Sequence, residues 1–454
     1  MANVIKLHKG LDINLKGRAE EKKIQLKSNG KYALVPDDFE GVTPKVVVRE
    51  GDKVKAGDAL FVSKQYPEVK FASPVSGTVS AVVRGERRKV LCVKVDADAQ
   101  QSFVDFGKKD VAKLDGKAVI DALLEAGLFG YIDQLPYAVS TNPSVMPKAI
   151  FVSALRDKPL AADFQYEVKG QEQDFVTGIQ ALSKIAKTYV GLGIQPDFQT
   201  VIRDLGIDNY AELNIFDGKC PAGNVGVQVN NVDPVNKGEV VWTIGDPSVV
   251  LFIGRLFNTG KVNLTRTVAL CGSEVKSPAY VDMLVGEELS TLLSNSYDAS
   301  KSVRIINGNV LTGKPTTKDG YLGAHTSEIT VIPEGDQADE FLGWILPRFK
   351  QFSVNRSYFS WLCGKKDYAL DARVKGGERH MIMSGEYDKV LPMDIYGEYL
   401  IKAIIAGDID RQEALGIYEV SPEDFALAEF VDSSKLELQR IVREGLNILR
   451  KENA

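Results

Sequence analysis

The chain has 454 residues, of which 44% are hydrophobic and 26% charged, and its 61 acidic and 56 basic residues give a net charge of −5. This balance is typical of a globular protein, and the length corresponds to roughly three domains. The weak negative charge argues against broad binding to a nucleic-acid backbone, and no segment approaches the roughly 20 apolar residues of a membrane-spanning helix.

The cysteines and histidines are scattered along the chain. Cys220 and Cys271, the closest pair of cysteines, are 51 positions apart. Metal and cluster sites in local motifs need much shorter spacings, so the sequence predicts no metal centre. Four thiols in so long a chain are not a disulfide framework, which indicates a reducing, cytoplasmic compartment. The first ten residues, MANVIKLHKG, do not resemble a signal peptide.

Residues 1–98 are predicted to be an N-terminal segment followed by a small β-domain. Apolar and polar residues alternate in four stretches, which predicts strands over 45–49, 59–63, 77–83 and 90–95. The Gly-Asp pairs at 51–52 and 57–58 and the Ser-Gly corner at 76–77 are turn signals. This order resembles the biotinyl/lipoyl barrel-sandwich hybrid. A carrier domain would need a lysine at the hairpin tip, but Lys64 is out of register and Tyr66 lies near that place. A structural barrel is therefore favoured over a carrier.

Residues 99–255 are predicted to form an α/β domain. Helical spacing of apolar residues predicts helices over 111–126 and 175–190, with Gly127 and Gly191 as their ends. Apolar runs predict strands over 149–154, 239–244 and 249–253. Helices that alternate with buried strands favour a layered α/β architecture.

The remaining two zones differ in character. Residues 256–330 show a strand, a Ser-Pro turn, a second strand, a short helix and further strands, and resemble the soluble-ligand-binding β-grasp (SLBB) module. Residues 331–454 begin mixed and turn helical. A helix is predicted to start at Ser421, which is followed by Pro422 and two carboxylates. Apolar positions from Leu438 to Leu449 mark the inner face of a final helix. The predicted fold is thus an α/β multidomain protein.

The stretch from Ala126 to Tyr137 resembles the flavin-binding loop of the flavin subunit of respiratory complex I and of the RnfC component of the Rnf complex. In those families a glycine-rich loop holds FMN by close backbone approach. Here Tyr131, Ile132 and Asp133 replace the inner glycines. We therefore expect a Rossmann-like domain that is degenerate for FMN.

Other motifs resemble one family with this architecture, NqrA, which is the A subunit of the sodium-translocating NADH:quinone reductase. They are the segments 8–12, 221–223, 331–335 and 340–344. The sequence departs from better-known members at Cys220, Gln228 and Asn230, where those have histidines, and at Ala428 and Asp432, where cysteines are common. No metal or thiol role is carried over to these positions.

The resemblance implies a subunit of a sodium-pumping NADH:quinone oxidoreductase that supports electron transfer from NADH to quinone, coupled to Na⁺ export. It implies no redox cofactor in this chain, which by itself is not expected to be catalytic. NADH, FAD, FMN and iron–sulfur centres would belong to the partner subunits, which are the membrane-embedded B subunit together with the C, D, E and F subunits. The chain would lie peripherally on the cytoplasmic side of the bacterial inner membrane. The alternative is a self-sufficient flavin-dependent NADH dehydrogenase.

A quinone site needs an apolar slot and one or two hydrogen-bond donors. Phe129, Tyr131 and Tyr137 are predicted as quinone-proximal walls of such a slot in the remodelled flavin cleft. The alternative is that these aromatics fill the former cofactor space as core residues. Trp344 and Trp361 are candidate interface anchors, with a core role as the alternative. His325, in a loop-like stretch, is a further candidate for a functional role.

Overall fold

The computed structural model describes residues 2–336, 342, 345–364 and 366–453. Most of the predicted 340–344 motif, including Trp344, lies outside the described residues. The strands of the described part, numbered in chain order, are β1 (Asn3–Lys6), β2 (Glu20–Ile24), β3 (Lys31–Leu34), β4 (Pro44–Val46), β5 (Lys53–Val54), β6 (Ala59–Ser63), β7 (Lys70–Ala72), β8 (Gly77–Arg84), β9 (Val90–Ala97), β10 (Asp133–Leu135), β11 (Val139–Ser140), β12 (Ala149–Ser153), β13 (Lys187–Gly193), β14 (Glu212–Asp217), β15 (Val241–Ile244), β16 (Thr265–Cys271), β17 (Ala279–Leu284), β18 (Val303–Asn307), β19 (Lys314–Thr316) and β20 (Glu328–Pro333).

The helices are concentrated in the second and last zones of the chain. They are α1 (Gly116–Glu125), α2 (Phe164–Val168), α3 (Glu172–Ile185), α4 (Pro196–Asp204), α5 (Val225–Val232), α6 (Ser248–Thr259), α7 (Ser290–Leu293), α8 (Tyr387–Val390), α9 (Gly397–Ala406), α10 (Ile409–Ala414), α11 (Ala426–Val431) and α12 (Leu438–Glu452). None of the helices within the described ranges is long and apolar enough to cross a membrane.

Two small sheets form the N-terminal β-domain. One has the order β3-β9-β8-β5 and the other β4-β6-β7. Phe61 of β6 and Phe71 of β7 are cross-strand partners in the second sheet, and their rings stack with centroids 4.7 Å apart. A Cβ at Gly77 would overlap the backbone carbonyl of Asp96, so the tight crossing of β8 and β9 requires glycine there. The strands predicted for this zone are all present, with ends shifted by up to three residues.

The central sheet has the order β1-β14-β13-β12-β15-β10-β11. Strands β1, β14, β13, β12 and β15 run parallel, and β10 and β11 add an antiparallel edge. From β12 the chain proceeds to β13 and β14 on one side and then returns to place β15 on the other side. The strand order therefore reverses between β12 and β15, which is the place where open α/β sheets bind ligands.

Three helices of this domain differ from the sequence prediction. The helix predicted over 111–126 is α1, which begins at Gly116 and ends at Glu125. The helix predicted over 175–190 is α3, which begins at Glu172 and ends at Ile185, and Gly191 lies inside β13 instead of ending a helix. The strand predicted over 249–253 is wrong, because these residues belong to α6. Ten of the twelve residues of α6 are buried, so the segment has no polar face and its Val and Ile content suggested a strand.

The third sheet has the order β19-β18-β20-β16-β17-β2 and contains the strands of the predicted SLBB zone. Its last strand, β2, comes from the N-terminal segment and runs parallel to β17. In the same way β1 joins the central sheet beside β14. The first 24 residues thus link the two larger sheets.

The C-terminal part packs α8 to α12 around an apolar cluster that includes Leu400, Phe425 and Leu446. The predicted helix start is present, since Asp424 accepts hydrogen bonds of 2.8 Å from both the backbone amide and the hydroxyl of Ser421. The predicted final helix is α12.

Candidate functional site

A cavity of about 350 Å³ lies where the strand order of the central sheet reverses. Its floor is formed by the segments that follow the carboxyl ends of β12 and β15, at 155–158 and 245–246. The opposite wall comes from the third sheet, at 307–314 and 325–328, and Glu423 of the C-terminal part closes one side. Three parts of the chain therefore meet at this cavity.

Asp246 is the centre of a buried ion network on the cavity floor. It binds Arg156 at 2.7 Å and also pairs with Arg266, which reaches across from β16 and is 1% exposed. Arg156 bonds Glu167 at 2.7 Å as well. Burial opposes ionisation of Asp246, but the two guanidinium groups outweigh it and hold the pKa of this carboxyl well below its usual range. The network ties the third sheet to the central sheet.

A second charged pair, Lys158 with Glu423, links the cavity floor to the C-terminal part. Between the two pairs, Asp157 accepts a 2.8 Å hydrogen bond from the backbone amide of Gly223. Burial raises the pKa of Asp157 to about 6. The hydrogen bond from Gly223 and the positive charge of Lys158 lower this pKa, but their effect is smaller than that of burial. Burial also raises the pKa of the neighbouring Cys220 thiol, so this cysteine stays protonated at neutral pH.

An aromatic group forms another part of the wall. Tyr131 is 2% exposed, and its ring lies 5.6 Å from that of His325 and 5.0 Å from that of Phe39. Its hydroxyl has no hydrogen-bond partner among the described residues. Burial raises the pKa of Tyr131, so the hydroxyl stays protonated and can act as a donor.

The charges around the cavity do not suit an anion. Among the described lining residues, Arg156, Lys158 and Lys314 are each paired with a carboxylate. The carboxyl groups that line the cavity are Asp38, Asp133, Asp157, Asp246, Glu328 and Glu423. A flavin mononucleotide would have to place its phosphate among them at a Coulombic cost, so the residues present do not fit FMN. A neutral ligand with hydrogen-bond acceptors fits better.

The three predicted quinone-proximal residues are not brought together. Tyr131 lines the cavity. Phe129 is fully buried and packs edge-on against Trp242, with ring centroids 5.3 Å apart. Tyr137 lies near the start of β11, where its backbone carbonyl accepts a 2.8 Å hydrogen bond from Arg443 of α12. Their assignment to a quinone site stays a prediction.

The sequence analysis missed the charged residues that dominate the floor. Arg156, Asp157 and Lys158 begin three positions after the end of the buried strand β12, and Asp246 lies two positions after the end of β15. Polar residues at the carboxyl ends of parallel strands are the signal that could have found them. His325, which the sequence analysis did single out, lines the cavity. No group of three or more potential metal ligands occurs in the part of the chain that the structure describes.

Comparisons with known proteins cover most of the chain. Family models match at residues 5–98 (NqrA N-terminal barrel-sandwich hybrid domain), 114–262 (NqrA second alpha/beta domain) and 267–318 (NQRA C-terminal domain, SLBB). These matches confirm the predicted fold class.

Full-length relatives agree with the family models. The A subunit of the Na(+)-translocating NADH-quinone reductase of Saccharophagus degradans is 34% identical over 452 residues, covering 99% of this chain and 100% of the relative. The protein of the same name from Yersinia pestis bv. Antiqua is 33% identical with the same coverage. A solved NAD+-reducing NiFe hydrogenase in the H2-reduced state is 14% identical, with a TM-score of 0.39, over 74% of this chain and 61% of that chain. At that score the likeness supports no statement about this chain.

Proposed function

Since this chain belongs to the NqrA family, the A subunit of the Na(+)-translocating NADH-quinone reductase, we propose that it supports electron transfer from NADH to quinone and the coupled export of Na⁺. As a member of that family it is a subunit of an enzyme complex. We propose that it carries no redox cofactor of its own and acts by organising its partners. The full-length identity of 33–34% to these relatives carries the proposal.

The cavity supports the cofactor-free role. The cleft at the strand-order reversal holds charged side chains that are paired with each other. Tyr131 and Asp133 lie in the loop that resembles the flavin-binding loop of the complex I flavin subunit and RnfC, at positions where those families have glycines, and Tyr131 is buried there. Arg156 and Lys158, which could otherwise bind a phosphate, are paired with carboxylates, and Lys158 links the cavity floor to the C-terminal part through Glu423. The site is thus built for structural linkage and for a neutral ligand.

Membership of the NqrA family also suggests the partner subunits of this chain and its location in the cell. We propose that the chain docks on the membrane-embedded B subunit of the complex and works with the C, D, E and F subunits. NADH, FAD, FMN and the iron–sulfur centres would belong to these partner subunits. The chain would lie peripherally on the cytoplasmic face of the bacterial inner membrane.

The experiment compares the purified chain with the reconstituted complex. We expect the chain alone to lack flavin absorbance and to oxidise no NADH, while omission of the chain abolishes NADH-driven quinone reduction and Na⁺ transport by the other subunits. A yellow protein that oxidises NADH by itself would instead support the alternative, a self-sufficient flavin-dependent dehydrogenase. Full quinone reduction and Na⁺ transport without the chain would contradict the supporting role.

A further inference from the structure

The described residues of the segment 342–366, which are 342, 345–364 and 366, expose an unusual amount of apolar surface. Phe359, Trp361 and Leu362 are 50%, 47% and 60% exposed. Eight large apolar side chains among its described residues are exposed, and they are Leu342, Ile345, Leu346, Phe349, Val354, Phe359, Trp361 and Leu362. Scattered exposed apolar residues are normal, but a concentration of this kind marks a contact surface.

The charge of the segment is opposite to that of the chain. The segment 342–366 contains five Lys or Arg and no Asp or Glu, whereas the whole chain has a net charge of −5. Cations and aromatic residues are interspersed, and two of the guanidinium groups lie against aromatic rings. The guanidinium of Arg356 lies 5.1 Å from the ring centre of Trp361, and that of Arg348 lies 5.8 Å from that of Tyr358. The surface therefore presents positive charge and aromatic rings together.

The segment is fixed to the body of the protein from its inner side. Phe352 packs against Tyr368 and Phe430, with ring centroids 5.5 Å and 5.9 Å apart. The amide of Phe359 donates a 2.9 Å hydrogen bond to the carbonyl of Pro347, which folds the segment back on itself. One face is thus anchored in the C-terminal core, and the other face carries the exposed apolar and cationic side chains.

We propose that this segment docks on the surface of an anionic phospholipid bilayer. Trp, Tyr and Phe beside Arg and Lys form the composition that settles at the membrane–water interface, with the rings at headgroup depth and the cations on lipid phosphates. The segment contains no Asp or Glu, and this matches the uniformly negative charge of lipid phosphates at an anionic bilayer surface. The inference rests on the proposed function, since it gives a subunit without a described membrane-spanning helix its own contact with the membrane.

The test uses the full-length purified chain and vesicles of phosphatidylcholine, with or without about one quarter phosphatidylglycerol. We expect flotation with the anionic vesicles, no flotation with pure phosphatidylcholine, and weaker binding at high salt. In a Trp344→Phe background, the emission of Trp361 should shift to the blue on binding, while Trp242, which is fully buried, should not respond.

Two variants separate charge from apolar contact. Lys350→Gln with Arg356→Gln should weaken vesicle binding about 25-fold, at roughly fivefold per cation. Ile345→Ser with Leu362→Ser should abolish the blue shift of Trp361. All four positions are exposed, so folding should be kept. The matched control, Lys27→Gln with Lys55→Gln, removes two exposed cations elsewhere and should leave binding unchanged.

Failure to bind anionic vesicles, or equal weakening by the control variant, would overturn the proposal. If instead the variants bind vesicles normally but no longer assemble with detergent-solubilised partner subunits, the surface belongs to a protein partner and the lipid proposal is wrong. NADH-driven quinone reduction in detergent, without a bilayer, reports separately on the proposed function.

Discussion

At the scale of single residues, Tyr131 is the one predicted quinone-proximal side chain that lines the cavity. Its hydroxyl is buried and unpartnered among the described residues, a costly state that a ligand acceptor would relieve. If a quinone carbonyl accepts this hydrogen bond, Tyr131→Phe should weaken binding of a soluble quinone about tenfold. The variant should not lose stability, because no internal hydrogen bond is removed. Ligand-observed NMR titration measures the first effect and thermal unfolding the second.

The control is Tyr387→Phe, which removes a hydroxyl from a fully buried tyrosine in the C-terminal core. It should leave quinone affinity unchanged. Unchanged affinity in Tyr131→Phe with an intact fold would leave the aromatic residues as packing core.

The buried carboxyl group of Asp157 should make the free energy of unfolding depend on pH. Burial raises its pKa to about 6, above the value of about 4 in an unfolded chain. The folded state therefore binds the proton more tightly, and this stabilising contribution is complete below about pH 4 and lost as pH rises through 6. Asp157→Asn, which stays neutral, should be more stable than the natural protein at pH 7.5 by roughly 2–3 kcal/mol, with no such gain at pH 4. Urea unfolding at both pH values measures the difference.

Asp121→Asn serves as the reference, since Asp121 is exposed on α1. Its effect on the free energy of unfolding should be the same at both pH values. A gain for Asp157→Asn that did not change with pH would show that the carboxyl is not protonated preferentially in the folded state.

At the scale of elements, α3 and α6 pack through glycines. A Cβ at Gly254 of α6 would overlap the backbone carbonyl of Asp174 in α3, and a Cβ at Gly178 of α3 would overlap that of Val250 in α6. Gly254→Ala should therefore lower the free energy of unfolding by about 3 kcal/mol, because the backbones must separate. Gly377→Ala, where a Cβ meets no atom within 4 Å, should be nearly neutral. Comparable denaturation midpoints for the two variants would contradict this account of the helix pair.

The helices α3 and α6 also show where the local spacing of apolar residues gives a wrong prediction of secondary structure. In α3 the apolar spacing predicted a helix, but the spacing continues by chance into β13 at Tyr189, so the predicted end was too late. In α6 burial on nearly all sides removed the periodic signal, and the residue types favoured a strand. In a strand with one more exposed face, such as β8, apolar and polar residues still alternate. The predicted bounds of β8 therefore lie within one residue of the observed ones.

At the scale of the whole molecule, the Asp246 network joins the central and third sheets. The stability it supplies requires the ionised carboxyl, so it is present above about pH 4 and is lost as pH falls through the depressed pKa of Asp246. Asp246→Asn should cost about 3–5 kcal/mol at pH 7, because Arg156 and Arg266 then share a buried site without this carboxylate. The loss should shrink as the pH is lowered. Differential scanning calorimetry should show a lower and broader transition as the two sheets uncouple.

Asp121→Asn again provides the control and should keep a single transition at the natural temperature. An Asp246→Asn protein with unchanged unfolding at pH 7 would mean that the sheets are held together by apolar contacts alone.

The sequence by itself determined the class of the fold, the small barrel, the final helices and, through the motifs at 8–12 and 221–223, the family. These depend on turn residues, local periodicity and local motifs, which are written in short stretches of chain. The tertiary structure alone decided that β1 and β2 leave the N-terminal segment to join two different sheets. It also decided that Asp246, Lys158 and Glu423 line one cavity and that Arg266 pairs with Asp246. The two ion pairs join residues that are 20 and 265 positions apart. Only the packing of the separate parts of the chain brings these charges into contact, and no local pattern encodes it.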